Sequence, residues 1–133
     1  MTLDDKTYLA RFHARTLGPE YFDHRGHLRM AWLHLRHLPV EEATARVCEG
    51  IRDLATRFGA PEKFNYTLTE AFMRIMARRM HDGEEGSFDA FLQRNPDLLL
   101  DAKGVVAEHY SDERLHCAPA RATWIDPDRA PFD

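Results

Sequence analysis

Cysteine is nearly absent from this sequence and lysine is scarce. Only Cys48 and Cys117 occur, far apart and outside any CxxC or CxxH spacing, which excludes a disulfide framework and the usual zinc-finger patterns and suits a reducing compartment. No Lys/Arg block exists, the formal net charge is −4, and the last 53 residues hold five Lys or Arg against twelve Asp or Glu. A nucleic-acid partner is not expected from that balance, because phosphate binding needs clustered positive charge. Long apolar runs are missing as well. The longest, such as Leu98-Leu99-Leu100, fall far short of the ~18 residues that a membrane span requires, so no membrane partner is expected. Asp4 and Asp5 stand within the first five residues, with no apolar segment behind them. That is not the pattern of a secretory signal, and a cytoplasmic location is expected.

What remains is 133 residues, 44% hydrophobic and 30% charged, the profile of one globular domain covering residues 1–133. A chain of this size buries about two-thirds of its unfolded surface, so a metal, if bound, serves function rather than folding.

Apolar residues recur at helical spacing nearly throughout, with Gly or Pro as punctuation, which predicts an all-α bundle of four main helices. The first helix is expected from Thr2, as N-cap, to Thr16, ended by Gly18-Pro19. The second starts at Asp23 and stops before Pro39, with Leu28, Ala31, Trp32 and Leu35 as its apolar stripe. The third follows Pro39 with Glu41 and Glu42 in its first turn, sets Val47, Ile51, Leu54 and Phe58 on one face, and ends at Gly59. The fourth spans Asn65 to Met80, before a polar tip at residues 81–86. Shorter helices follow, one capped by Ser87 and one opened by Asn95-Pro96-Asp97. From Ala118 a proline-rich strap carrying Trp124-Ile125 is expected to wrap over the bundle rather than coil.

Eight histidines are present, five of them (His13, His24, His27, His34 and His37) within 25 residues. At about 100° per residue on the second helix, His24 points to the apolar side and His27 to its border, while His34 and His37 rotate towards solvent. His24 and His27 are therefore the candidates. Their i, i+3 spacing allows both neutral imidazoles to reach one ion, or each to hydrogen-bond within a core. A working metal site needs a third ligand and an open position. The polar run Lys63-Phe64-Asn65-Tyr66-Thr67-Leu68-Thr69-Glu70 is the best source. There Asn65, Thr67 and Thr69 can cap the fourth helix, Asn65 or Glu70 can supply an oxygen ligand, and Tyr66 can offer a phenol for proton transfer. Arg29 lies away from the His24 face, and a surface or inter-helix ion pair is its expected role.

The segments Phe22-Asp23-His24-Arg25-Gly26-His27-Leu28-Arg29-Met30-Ala31-Trp32, Lys63 to Thr69, His109 to Leu115 and Trp124 to Asp128 together resemble an uncharacterised family of small all-helical bacterial proteins. That family's pattern is approximately FxHxxHLRxAW, then KYHxTxT, YYSxERL and WxxPD. The resemblance covers most of the chain from Phe12. It implies a three-histidine metal centre built from the second and fourth helices at the positions of His24, His27 and Asn65. Asparagine replaces the third histidine here, so either an acid such as Glu70 substitutes, or the centre is lost, or the motif serves as a hydrogen-bond network.

Three functions follow as expectations. One is a small metal-dependent enzyme acting on a small-molecule substrate, with His24, His27 and Asn65 holding Fe, Cu or Zn and with Tyr66 and Glu70 in proton transfer. Another is a metal-free small-molecule site using the same histidines. The third is an interaction module whose acidic C-terminal third meets a basic partner and whose histidines are structural.

Overall fold

A computed structural model of the protein describes residues 3–80 and 86–132. The architecture is all-α: four main helices, short C-terminal helices and a proline-rich strap, with no strand among the described residues. Contacts gather into two compact units, Met1–Phe64 and Asn65–Asp133.

In the first unit, α1 covers Asp5–Ala14. Its cap is the Asp4 carboxylate, which accepts from the Thr7 amide at 2.7 Å; the expected cap, Thr2, lies outside the described residues. Arg15, in the left-handed conformation at φ 62°, closes the helix by returning its amide to the carbonyls of Arg11 and Phe12. A single 3-10 turn at Pro19–Tyr21 leads to α2, His24–Leu35, capped as expected by Asp23, whose carboxylate accepts from Gly26. After Pro39 runs α3, Val40–Arg57, with Glu41 and Glu42 in its first turn. Val47, Ile51 and Leu54 are buried, whereas Phe58, expected on the same face, lies past the helix end and is 36% exposed. Gly59 takes φ +76° there, a conformation open to glycine without strain.

Two close approaches set this unit's packing. A Cβ on Gly26 would strike the Tyr21 carbonyl, and one on Gly50 of α3 would strike the Phe12 ring of α1. Both faces need a residue with no side chain.

The second unit opens with α4, Tyr66–Arg79, capped by Asn65. Then come α5 (Phe88–Arg94, capped by Ser87), α6 (Asp97–Leu100), α7 (Ala102–Ala107), α8 (Asp112–Leu115) and α9 (Ala118–Ala122). The expected tip at 81–86 lies, but for Gly86, outside the described residues. Ala71, Val106, Tyr110 and Leu115 form a core against which Leu68, Phe72, Trp124, Ile125 and Phe132 pack. The strap departs from expectation at its start. Pro119 sits in the first turn of α9, where its missing N–H costs nothing, so the segment coils before it extends. Beyond it, Tyr110 donates to the Ile125 carbonyl at 2.6 Å, Arg114 to the Asp126 carbonyl at 2.6 Å, and the Arg129 and Ala130 amides to the His109 and Glu108 carbonyls.

Candidate functional site

The Asp23 cap fixes where α2 begins, and so places His24 in its first turn and His27 one turn on. The His27 ring meets Phe22 edge to face at 4.6 Å, and Phe22 meets Phe58 in the same manner at 5.2 Å. Nε2 of His27 is enclosed and has no hydrogen-bond partner among the described residues. Burial pushes this imidazole down from its ordinary 6.5 to about 4; neighbouring His24 acts in the same direction and Asp23 opposes. His27 is therefore a neutral ring at physiological pH with one polar atom unspent.

The remaining expected residues lie in the second unit. Asn65 accepts from the Leu68 amide at 3.0 Å through Oδ1 and donates from Nδ2 to the Leu115 carbonyl at 2.8 Å. It is a helix cap and a tie to α8. Glu70 receives Arg74 through Nε and Nη2 at 2.9 and 2.6 Å, and the Arg74 guanidinium lies 4.0 Å over Trp124. Tyr66 is half-buried at the first position of α4. Thr67 is fully buried, donating to the Thr123 carbonyl at 2.7 Å and accepting from the Ile125 amide at 3.3 Å, while Thr69 returns its hydroxyl to the Asn65 carbonyl. The polar run thus caps α4 and fastens the strap.

No family model, curated protein or solved structure matches the chain.

Among the described residues no three His, Cys, Asp or Glu side chains gather as a metal site. The donor set implied by the family resemblance fits in part. The unpartnered His27 nitrogen suits a ligand, whereas both polar atoms of Asn65 are taken by backbone bonds within its own unit.

His34 is the residue that sequence periodicity misplaced. Instead of turning to solvent, it is 3% exposed. Residues 28–34 of α2 are all buried, in a helix that packs against α1, α3 and the 3-10 turn and leaves only its N-terminal turn, at Arg25, exposed. His34 Nδ1 lies 2.7 Å from the Met30 carbonyl and its Nε2 lies 3.0 Å from Nε2 of His13. Arg29 makes the inter-helix ion pair: 7% exposed, it donates to the Leu3 carbonyl at 2.6 Å and to Asp5 at 2.9 Å, with its guanidinium over the Tyr8 ring. The apolar string from Leu28 to Leu33, interrupted only by Arg29, was the available signal that this stretch of α2 is central and not half-exposed.

Proposed function

We propose that this protein binds a small molecule at the first turns of α2, with neutral His27 as the group that meets it. The observation that carries this reading is the enclosed, unpartnered His27 Nε2. Buried polar atoms are almost always satisfied, and one that is not costs free energy that packing alone gives no reason to retain. A desolvated neutral imidazole offers a bound molecule a strong hydrogen bond, and a ligand bearing negative charge would raise its proton affinity towards the range useful in acid–base chemistry.

The metal-dependent form of the reading draws on the same atom. His24 and His27 stand one turn apart, and a nitrogen already neutral needs no deprotonation before it binds Fe, Cu or Zn. In that form the third protein ligand is a residue other than Asn65, and the ion supplies Lewis-acid or redox chemistry to a small-molecule substrate. A cytoplasmic setting, and a partner that is neither nucleic acid nor membrane, belong to both forms. No described helix is long and apolar enough to cross a membrane.

One experiment separates the two forms. Protein purified without an affinity tag is analysed for metals and screened against a small-molecule library while the His27 ring nitrogens are followed by NMR. Ligand-induced shifts of Nε2 that are lost in His27→Leu, without bound metal, support the first form. Stoichiometric Fe, Cu or Zn lost in His24→Ala supports the second. No shift and no metal would remove both.

A further inference from the structure

Away from His27, the first unit holds a second histidine cluster. His13, near the end of α1, and His34, in the last turn of α2, face each other with ring centroids 5.2 Å apart and Nε2 atoms 3.0 Å apart. Both rings lean on Phe12. The short contact to the Met30 carbonyl assigns the His34 proton to Nδ1, which leaves a lone pair on Nε2; His13 then supplies the Nε2–H of the contact. An imidazole whose far nitrogen is tied to a backbone carbonyl is oriented as metal-ligating histidines are. His34 is buried and fixed, and His13 is exposed and able to swing.

We propose that His13 and His34 form a binding site for one late first-row divalent ion, Cu2+ ahead of Ni2+ or Zn2+. Two imidazole nitrogens bonded to one such ion at about 2.0 to 2.1 Å stand roughly 3 Å apart in cis positions and somewhat over 3 Å apart in a tetrahedron. The pair holds a similar spacing but head-on, each Nε2 aimed at the other, so the ion takes the place of His13 on the His34 lone pair and the exposed His13 swings aside to bind it. To admit the ion, His13 moves its proton from Nε2 to Nδ1 through solvent and tilts; His34 keeps its tautomer, and no net proton is released while both rings are neutral. Water completes the coordination on the exposed His13 side, so the site is an open one with two protein ligands. Cu2+ leads because its affinity for nitrogen donors tops the divalent series.

The charged surroundings limit the affinity. Arg46 of α3 and Arg15 disfavour positive charge at His13, and Arg46 and His37 disfavour it at His34. Glu42 pairs with Arg46 at 3.1 Å and Asp53 with Arg15 at 3.0 Å, offsetting part of that repulsion.

The test is a Cu2+ titration of the full chain carrying His24→Ala and His27→Leu, which removes the other two candidate ligands, followed by calorimetry and by electron paramagnetic resonance. One ion per chain with nitrogen couplings is expected, and adding His13→Ala should weaken binding by about tenfold or more. The control His116→Ala, at a residue outside the first unit, should leave it unchanged. Equal affinity with and without His13 overturns the proposal. If His13→Ala disturbs the fold, Zn2+ added to the unaltered protein reads the same contact: joint shifts of the His13 and His34 Nε2 resonances support the site, and their absence overturns it.

Discussion

An imidazole nitrogen enclosed without a partner weakens a fold, and His27 is such a residue. Replacing it by an apolar side chain of similar bulk removes the unsatisfied atom while keeping the contact with Phe22. His27→Leu is therefore expected to leave stability unchanged or to raise it by about 1 kcal/mol, read as the urea midpoint, while abolishing ligand binding. A loss of 2 kcal/mol or more would show that the ring is structural. At this scale the sequence was legible where a side chain acts on its near neighbours. Asp23 and Asn65 were readable as caps because capping is a three-residue affair. The Nδ2 bond of Asn65 to Leu115 spans fifty positions and left no local trace.

Helix α2 shows how an element's surroundings redefine its residues. Its start was legible from Asp23 and its end, before Pro39, approximately so, but the division into core and solvent faces assumed an exposed side along residues 28–34, which are all buried. Once α1, α3 and the 3-10 turn enclose it, His34 becomes a core residue and Arg29 a buried cation held by Asp5, the Leu3 carbonyl and Tyr8. The same tight packing makes Gly26 irreplaceable. Its hypothetical Cβ meets a backbone carbonyl, which cannot turn aside as a side chain would, and Gly26 also accepts the Tyr8 hydroxyl at 2.9 Å. Gly26→Ala should destabilise by roughly 1–3 kcal/mol, although alanine is the better helix former. Thermal denaturation checks this, and a stabilised variant would contradict the packing described.

Taken whole, three histidines among the described residues resist protonation when folded: His27, at about 4, and His13 and His34, each lowered chiefly by burial. Unfolded, each titrates near 6.5. As pH falls below that value the unfolded chain gains protons that the native state refuses, so stability declines towards pH 4 and His27 adds no further loss below it. The His27 contribution across this window is on the order of 3 kcal/mol. Urea denaturation at pH 7.5, 5.5 and 4.5 should show the decline, and His27→Leu should flatten it; parallel curves would remove His27 as its source. The sequence by itself determined the all-α class, the approximate extent of the main helices and the caps Asp23, Asn65 and Ser87, though not the Asp4 cap of α1, because hydrophobic period and cap chemistry act over one or two turns. Tertiary packing alone decided which histidines are buried, that His13 meets His34, that Asn65 spends both its polar atoms on backbone, and that the strap is held by Thr67 and Tyr110. Those outcomes depend on which helices lie side by side, and contacts across long stretches of chain leave no periodic signature in it.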